Sequence, residues 1–96
     1  MNKVVINKCF GEFSLSKKAK KILLNKGYKH YDIEFDNIPR HNKDLVEIVE
    51  TLKLEASSEY SKLVIETIPG NKYYIVEYNG NEEIFYPEMN EWINIE

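Results

Sequence analysis

Apolar positions change period several times along this chain, and each change marks an element. Val4, Val5 and Ile6 form a short apolar run that reads as a first strand. Leu15, Ala19, Ile22 and Leu23 then fall at i, i+4, i+7 and i+8, which is one face of a helix. Lys17, Lys18, Lys20 and Lys21 occupy its other side, Ser14 or Ser16 can cap its start, and Gly27 suits its exit. Tyr31, Ile33 and Phe35 alternate with Asp32, Glu34 and Asp36, the period of a half-buried strand, until Pro39 breaks it. A second helix follows. Asn42 caps it, Asp44 meets the positive end of its dipole, and Leu45, Ile48, Val49, Leu52 and Ala56 keep one face apolar.

Beyond Ser57 and Ser58 the pattern turns to strands. Leu63–Ile68 runs to the turn signal Pro69-Gly70-Asn71, residues 73–78 follow, and residues 82–86 return after Asn79-Gly80. Asn-Gly is the dipeptide that two-residue hairpin turns prefer, because both central positions need positive φ. The expectation is a C-terminal three-stranded antiparallel meander, with Trp92, Ile93 and Ile95 adding a short terminal strand. The fold class is α+β: one domain over residues 1–96, a mainly antiparallel sheet, and two amphipathic helices packed on one face.

Size sharpens this picture. A 96-residue chain has limited stability to spare, and its single cysteine, Cys9, forms no internal disulfide. Cys9 is expected to pack as a small buried group in a reducing compartment, and homo-oligomerisation is the expected supplement to stability. The opening apolar run is too short for a signal-peptide core, and no stretch has the length of a membrane span, so a cytoplasmic location without membrane attachment is expected.

The net charge of −3 hides an asymmetry. Residues 1–31 carry eight Lys and one acid, whereas residues 32–96 carry five basic and fifteen acidic residues. The basic segment either meets an anionic ligand or packs beside acidic surface of its own or a neighbouring subunit; the second reading accounts for most of the lysines. Negative net charge and the absence of a reinforced basic stripe argue against nucleic acid as a partner. Seven Tyr, four Phe and one Trp are many for this length, and a two-faced hairpin bearing Tyr73, Tyr74, Tyr78 and Tyr86 leaves some of them away from the helices, as at interfaces.

The chemistry-bearing residues point to binding and not catalysis. His30 and His41 have neither zinc-protease nor paired-cysteine spacing, so no metal site and no cofactor is expected. Nothing in the sequence orients a base toward Cys9. Gly11, Gly27, Gly70 and Gly80 form no phosphate-loop or dinucleotide fingerprint. Arg40 is the one arginine, beside His41 and just ahead of the second helix; it either grips a phosphate with its planar fork or makes a surface ion pair with Asp36 or Asp44. Residues 10–16 combine Gly11 with the rings of Phe10 and Phe13, the hydroxyls of Ser14 and Ser16, and the start of a helix. Those amides and rings suit a nucleotide, and equally a capped helix whose phenylalanines plug the core.

The segment Val4-Val5-Ile6-Asn7-Lys8-Cys9-Phe10-Gly11-Glu12-Phe13-Ser14-Leu15-Ser16 resembles the opening of small phage and prophage proteins that begin V-I-N-x-x-F-G-G-F-S-L-S. The likeness continues through Ile38-Pro39-Arg40, the 45–52 helix, Leu63–Ile68 with Pro69, and residues 74–82. Glu12 departs from the pattern, replacing its second glycine with a charge and a Cβ. Compact oligomeric phage proteins of this size include "sponges" of the Lockin and Sequestin kind, which sequester host nucleotide immune signals such as cyclic ADP-ribose isomers. What the resemblance implies is a non-enzymatic anti-defence protein in the infected cell, a homo-oligomer that encloses a nucleotide-type ligand. Arg40 would then pair with pyrophosphate, Phe10, Phe13 or a hairpin tyrosine would stack on adenine, and Asn7, Ser14, Ser16 and His41 would hydrogen-bond ribose or base near Gly11. Three alternatives stand beside it: a protein-interaction module acting on a host protein through exposed tyrosines, a nucleic-acid binder using the 17–29 segment, and a hydrolase of the same nucleotides.

Overall fold

The computed structural model describes residues 1–35 and 37–87. The elements run β1 (Asn2–Asn7), α1 (Lys17–Asn25), α2 (His30–Glu34), α3 (Lys43–Leu52), a 3₁₀ turn (Lys53–Ala56), β2 (Leu63–Ile68), β3 (Tyr74–Tyr78) and β4 (Asn81–Phe85). The α+β class holds. All strand pairing among the described residues is antiparallel, in two two-stranded sheets: β1 with β2, from Asn2 opposite Ile68 to Asn7 opposite Leu63, and β3 with β4, from Tyr74 opposite Phe85 to Tyr78 opposite Asn81.

The expected meander is therefore only half present. The β3–β4 hairpin forms, with φ of 50° at Asn79 and 87° at Gly80, as the Asn-Gly signal requires. Strand β2, however, pairs back to β1 and not forward to β3. The reason lies in β1, whose Val4, Val5 and Ile6 are fully buried: a strand apolar on both faces needs cover on both. Val5, with Leu63 and Ile65, meets Leu15, Ala19 and Leu23 of the α1 region and Leu45, Ile48 and Val49 of α3. Val4, Ile6 and Ile68 face the other way and pack with Ile84 and Ile75 of the hairpin. Three layers result: helices, the β1–β2 ribbon, and the β3–β4 ribbon.

Local chemistry sets the helix boundaries. The Ser16 side chain caps α1 by accepting from the Ala19 N–H at 3.1 Å, and its own hydroxyl donates to the Glu55 carbonyl. Asn42 caps α3 by accepting from the Asp44 and Leu45 N–H groups. Helix α3 ends at Leu52 and tightens into the 3₁₀ turn, so Ala56 reaches the core from that turn and not from the helix. Residues 31–35 are a correction to the sequence expectation: a strand was expected there, and His30–Glu34 is a short helix. Only Ile33 is buried, while Tyr31 and Phe35 are exposed, their rings 4.7 Å apart at the i, i+4 spacing of a helix face. With one core contact and no neighbouring strand, alternation alone did not decide the backbone. Trp92, Ile93 and Ile95, the expected terminal strand, lie outside the described residues.

Candidate functional site

The free edge of β1 is closed by one main-chain carbonyl and one side-chain carboxylate. The Val5 N–H donates to the Arg40 carbonyl at 2.9 Å, and the Asn7 N–H donates to Glu82 Oε1 at 2.8 Å. Glu82 comes from β4 and is buried, an inward-facing carboxylate that demands a partner. Arg40 supplies it. Its guanidinium donates through Nη1 to Oε1 at 2.6 Å and through Nη2 to Oε2 at 2.9 Å, a two-pronged ion pair with side chains 19% and 6% exposed. The same guanidinium lies 3.5 Å from the centre of the Phe13 ring, a cation–π stack that covers one of its faces while its edge meets Glu82.

Asn7 completes this knot. Its fully buried side chain accepts from the Lys62 N–H at 2.7 Å and donates to the Gly80 carbonyl at 2.7 Å and the Cys9 carbonyl at 3.1 Å. One amide thereby ties the end of β1 to the loop before β2 and to the hairpin turn. Cys9 is half-buried, not buried as expected, and its thiol lies near Asn7 Oδ1 and the Tyr60 carbonyl. Gly11 donates to the Asn79 carbonyl and packs against Gly80.

Sequence reasoning grouped eight residues, and the fold brings Asn7, Phe13 and Arg40 together while giving their polar groups partners within the chain. Ser14 meets Ser58 in a close hydroxyl contact, and Ser16 is occupied as the α1 cap. Phe10 is 71% exposed. Glu82, the carboxylate that Arg40 meets, was not singled out; of the two acids expected for it, Asp44 pairs with Lys26 and Asp36 lies outside the described residues. The signal was present, because an acid two residues before Ile84 on an inward face calls for a cation, and the chain has one arginine.

His41 leads to a different place. A groove of about 550 Å³ opens between the start of β1, α3 and the β2–β3 connection, with Val46 and Ile68 among its apolar lining. Tyr73 and His41 stand in it, the hydroxyl and Nδ1 sharing a hydrogen bond of 2.7 Å with rings edge to face. Burial raises the Tyr73 pKa above the ordinary phenol value, opposed by the nearby Arg40 charge. Lys3, Lys43, Glu47 and Glu50 line the same groove, and Lys3 pairs with Glu50. Lys43 and Glu47 enter no ion pair among the described residues.

Among the described residues no group of three or more His, Cys, Asp or Glu is placed to hold a metal ion, and no helix is long and apolar enough to cross a membrane. No family model, curated protein or solved structure matches the chain.

Proposed function

We propose that this chain is a non-enzymatic binding protein that sequesters a nucleotide-type ligand of the cyclic ADP-ribose class, as its phage-like opening implies, acting as a homo-oligomer in the cytoplasm of an infected host cell. The observation that carries the reading is the groove at His41 and Tyr73. Its volume falls in the range of about 300–1,000 Å³ that small-molecule sites occupy. An edge-to-face phenol–imidazole pair offers ring surface to a base, Lys43 offers charge to a phosphate, and Asn2 and Asn71 offer amides. Arg40, held by Glu82, takes no part, so the ligand contacts move from the residues 10–16 turn to this groove.

The test is thermal melting with cyclic ADP-ribose isomers, ADP-ribose and cyclic dinucleotides, followed by chromatography of the ligand after heat release. The expected result is a raised melting temperature for one ligand, its recovery intact, and loss of the shift in Tyr73→Ala. No shift with any of them at near-millimolar ligand rejects the reading, and recovery of a converted product replaces it with hydrolysis.

A further inference from the structure

Strand β3 turns Tyr74, Val76 and Tyr78 to the outside, 62%, 48% and 72% exposed. Phe85 of β4 stacks on Tyr74 with ring centres 5.4 Å apart, extending that face. The opposite face of the hairpin carries Ile75, Glu82 and Ile84 toward β1. Strand β4 meets β1 through side chains, Glu82 on the Asn7 N–H among them, and neither outer edge of the ribbon pairs with a strand among the described residues; β4 carries Glu82 and Glu83 whereas β3 carries Glu77 alone, so β3 is the edge less guarded by charge. A two-stranded ribbon is marginal in water, and a free edge without lysine, proline or bulge is a template for another strand.

We propose that β3 pairs antiparallel with β3 of a second copy across a two-fold axis at Val76, giving the strand order β4–β3–β3–β4. This names the surface for the self-association included in the reading above. The argument for a second copy is the register. In the sequence Tyr74-Ile75-Val76-Glu77-Tyr78, pairing about Val76 sets Tyr74 opposite Tyr78 twice, Val76 opposite itself, and Glu77 opposite Ile75. Aromatic cross-strand pairs are among the favourable ones, and no carboxylate faces another. A shift of the axis to Glu77 sets two carboxylates directly opposite, so charge selects the Val76 register. The interface is isologous and closes at two copies.

Sedimentation equilibrium of the full chain across a wide concentration range tests this, together with Val76→Lys, which sets two ammonium groups on the axis. The expected result is a wild-type dimer and a Val76→Lys monomer that keeps its circular dichroism spectrum. Val76→Cys in a Cys9→Ser background decides the matter where Val76→Lys does not fold: it cross-links to dimers on oxidation, and Glu77→Cys in the same background does not. A wild-type monomer at all concentrations, a Val76→Lys dimer, or equal cross-linking at both positions overturns the proposal. A monomer that still melts higher with nucleotide removes the β3 pairing and leaves the binding reading; a Val76-linked dimer that no nucleotide stabilises does the reverse.

Discussion

The carbonyl group of Gly11 fills the space beside Gly80 that a β-carbon would need. The loop after β1 and the tip of the hairpin thus meet backbone to backbone, with the Gly11 N–H on the Asn79 carbonyl. Gly80 also has φ of +87°, so a side chain there is strained by conformation as well as by collision. Gly80→Ala is expected to destabilise the fold by about 2–4 kcal/mol. Gly27, at φ +99° with open space around it, is the control: Gly27→Ala costs about 1 kcal/mol. Urea unfolding of the two variants measures the difference.

The Arg40–Glu82 pair predicts strong non-additivity. Arg40→Ala leaves a buried carboxylate beside the Asn7 amide and is expected to cost about 3–5 kcal/mol, as other broken buried pairs do. Arg40→Met with Glu82→Gln removes both charges while keeping an acceptor for the Asn7 N–H. That double variant is expected to be more stable than Arg40→Ala, and a double-mutant cycle in denaturant reads the coupling.

Two tyrosines set an alkaline limit. The hydrogen bond from the Tyr28 hydroxyl to Asp44 raises the Tyr28 pKa, and burial raises that of Tyr73. A raised pKa in the folded state means that the unfolded chain loses these protons first as pH rises. Their stabilising contribution is therefore complete below the ordinary tyrosine pKa of about 10 and is lost as pH climbs through the folded values. Melting temperature measured upward from neutral pH is expected to fall above that point, and less steeply in Tyr28→Phe with Tyr73→Phe.

Lys53 closes α3 with φ of +54° and ψ of −121°, a conformation that disfavours a β-carbon. Lys53→Gly is expected to stabilise the protein by about 1 kcal/mol, because strain relief outweighs the added freedom of the unfolded chain. A higher urea midpoint with unchanged slope would show it.

Much of the fold was legible in the sequence. Asn42, Ser16 and the i, i+4 apolar spacing marked both long helices, and Asn79-Gly80 marked the hairpin, because caps and positive φ are local requirements. Pairing was less legible. That β2 joins β1 depends on burying Val4 and Val5 on opposite faces, which no window of neighbouring residues reveals. The strand expected at 31–35 failed for a similar reason, since five residues with a single buried position carry too little pattern. At the candidate site, His41 was legible by residue type. Its association with Tyr73 was not, because the two come together only when α3 and the hairpin dock on the same ribbon.

The register from Asn2 opposite Ile68 to Asn7 opposite Leu63 has a kinetic consequence. During synthesis β1, whose Val4, Val5 and Ile6 end fully buried, emerges before β2, and Val5 waits for Ile65 on its partner strand. Loop closure over that span precedes any reward from the ladder, so the ribbon folds only once β2 has emerged, and slowly for so small a domain. Until then Val4, Val5 and Ile6 remain uncovered, and crowded expression would favour entanglement of nascent chains through that segment.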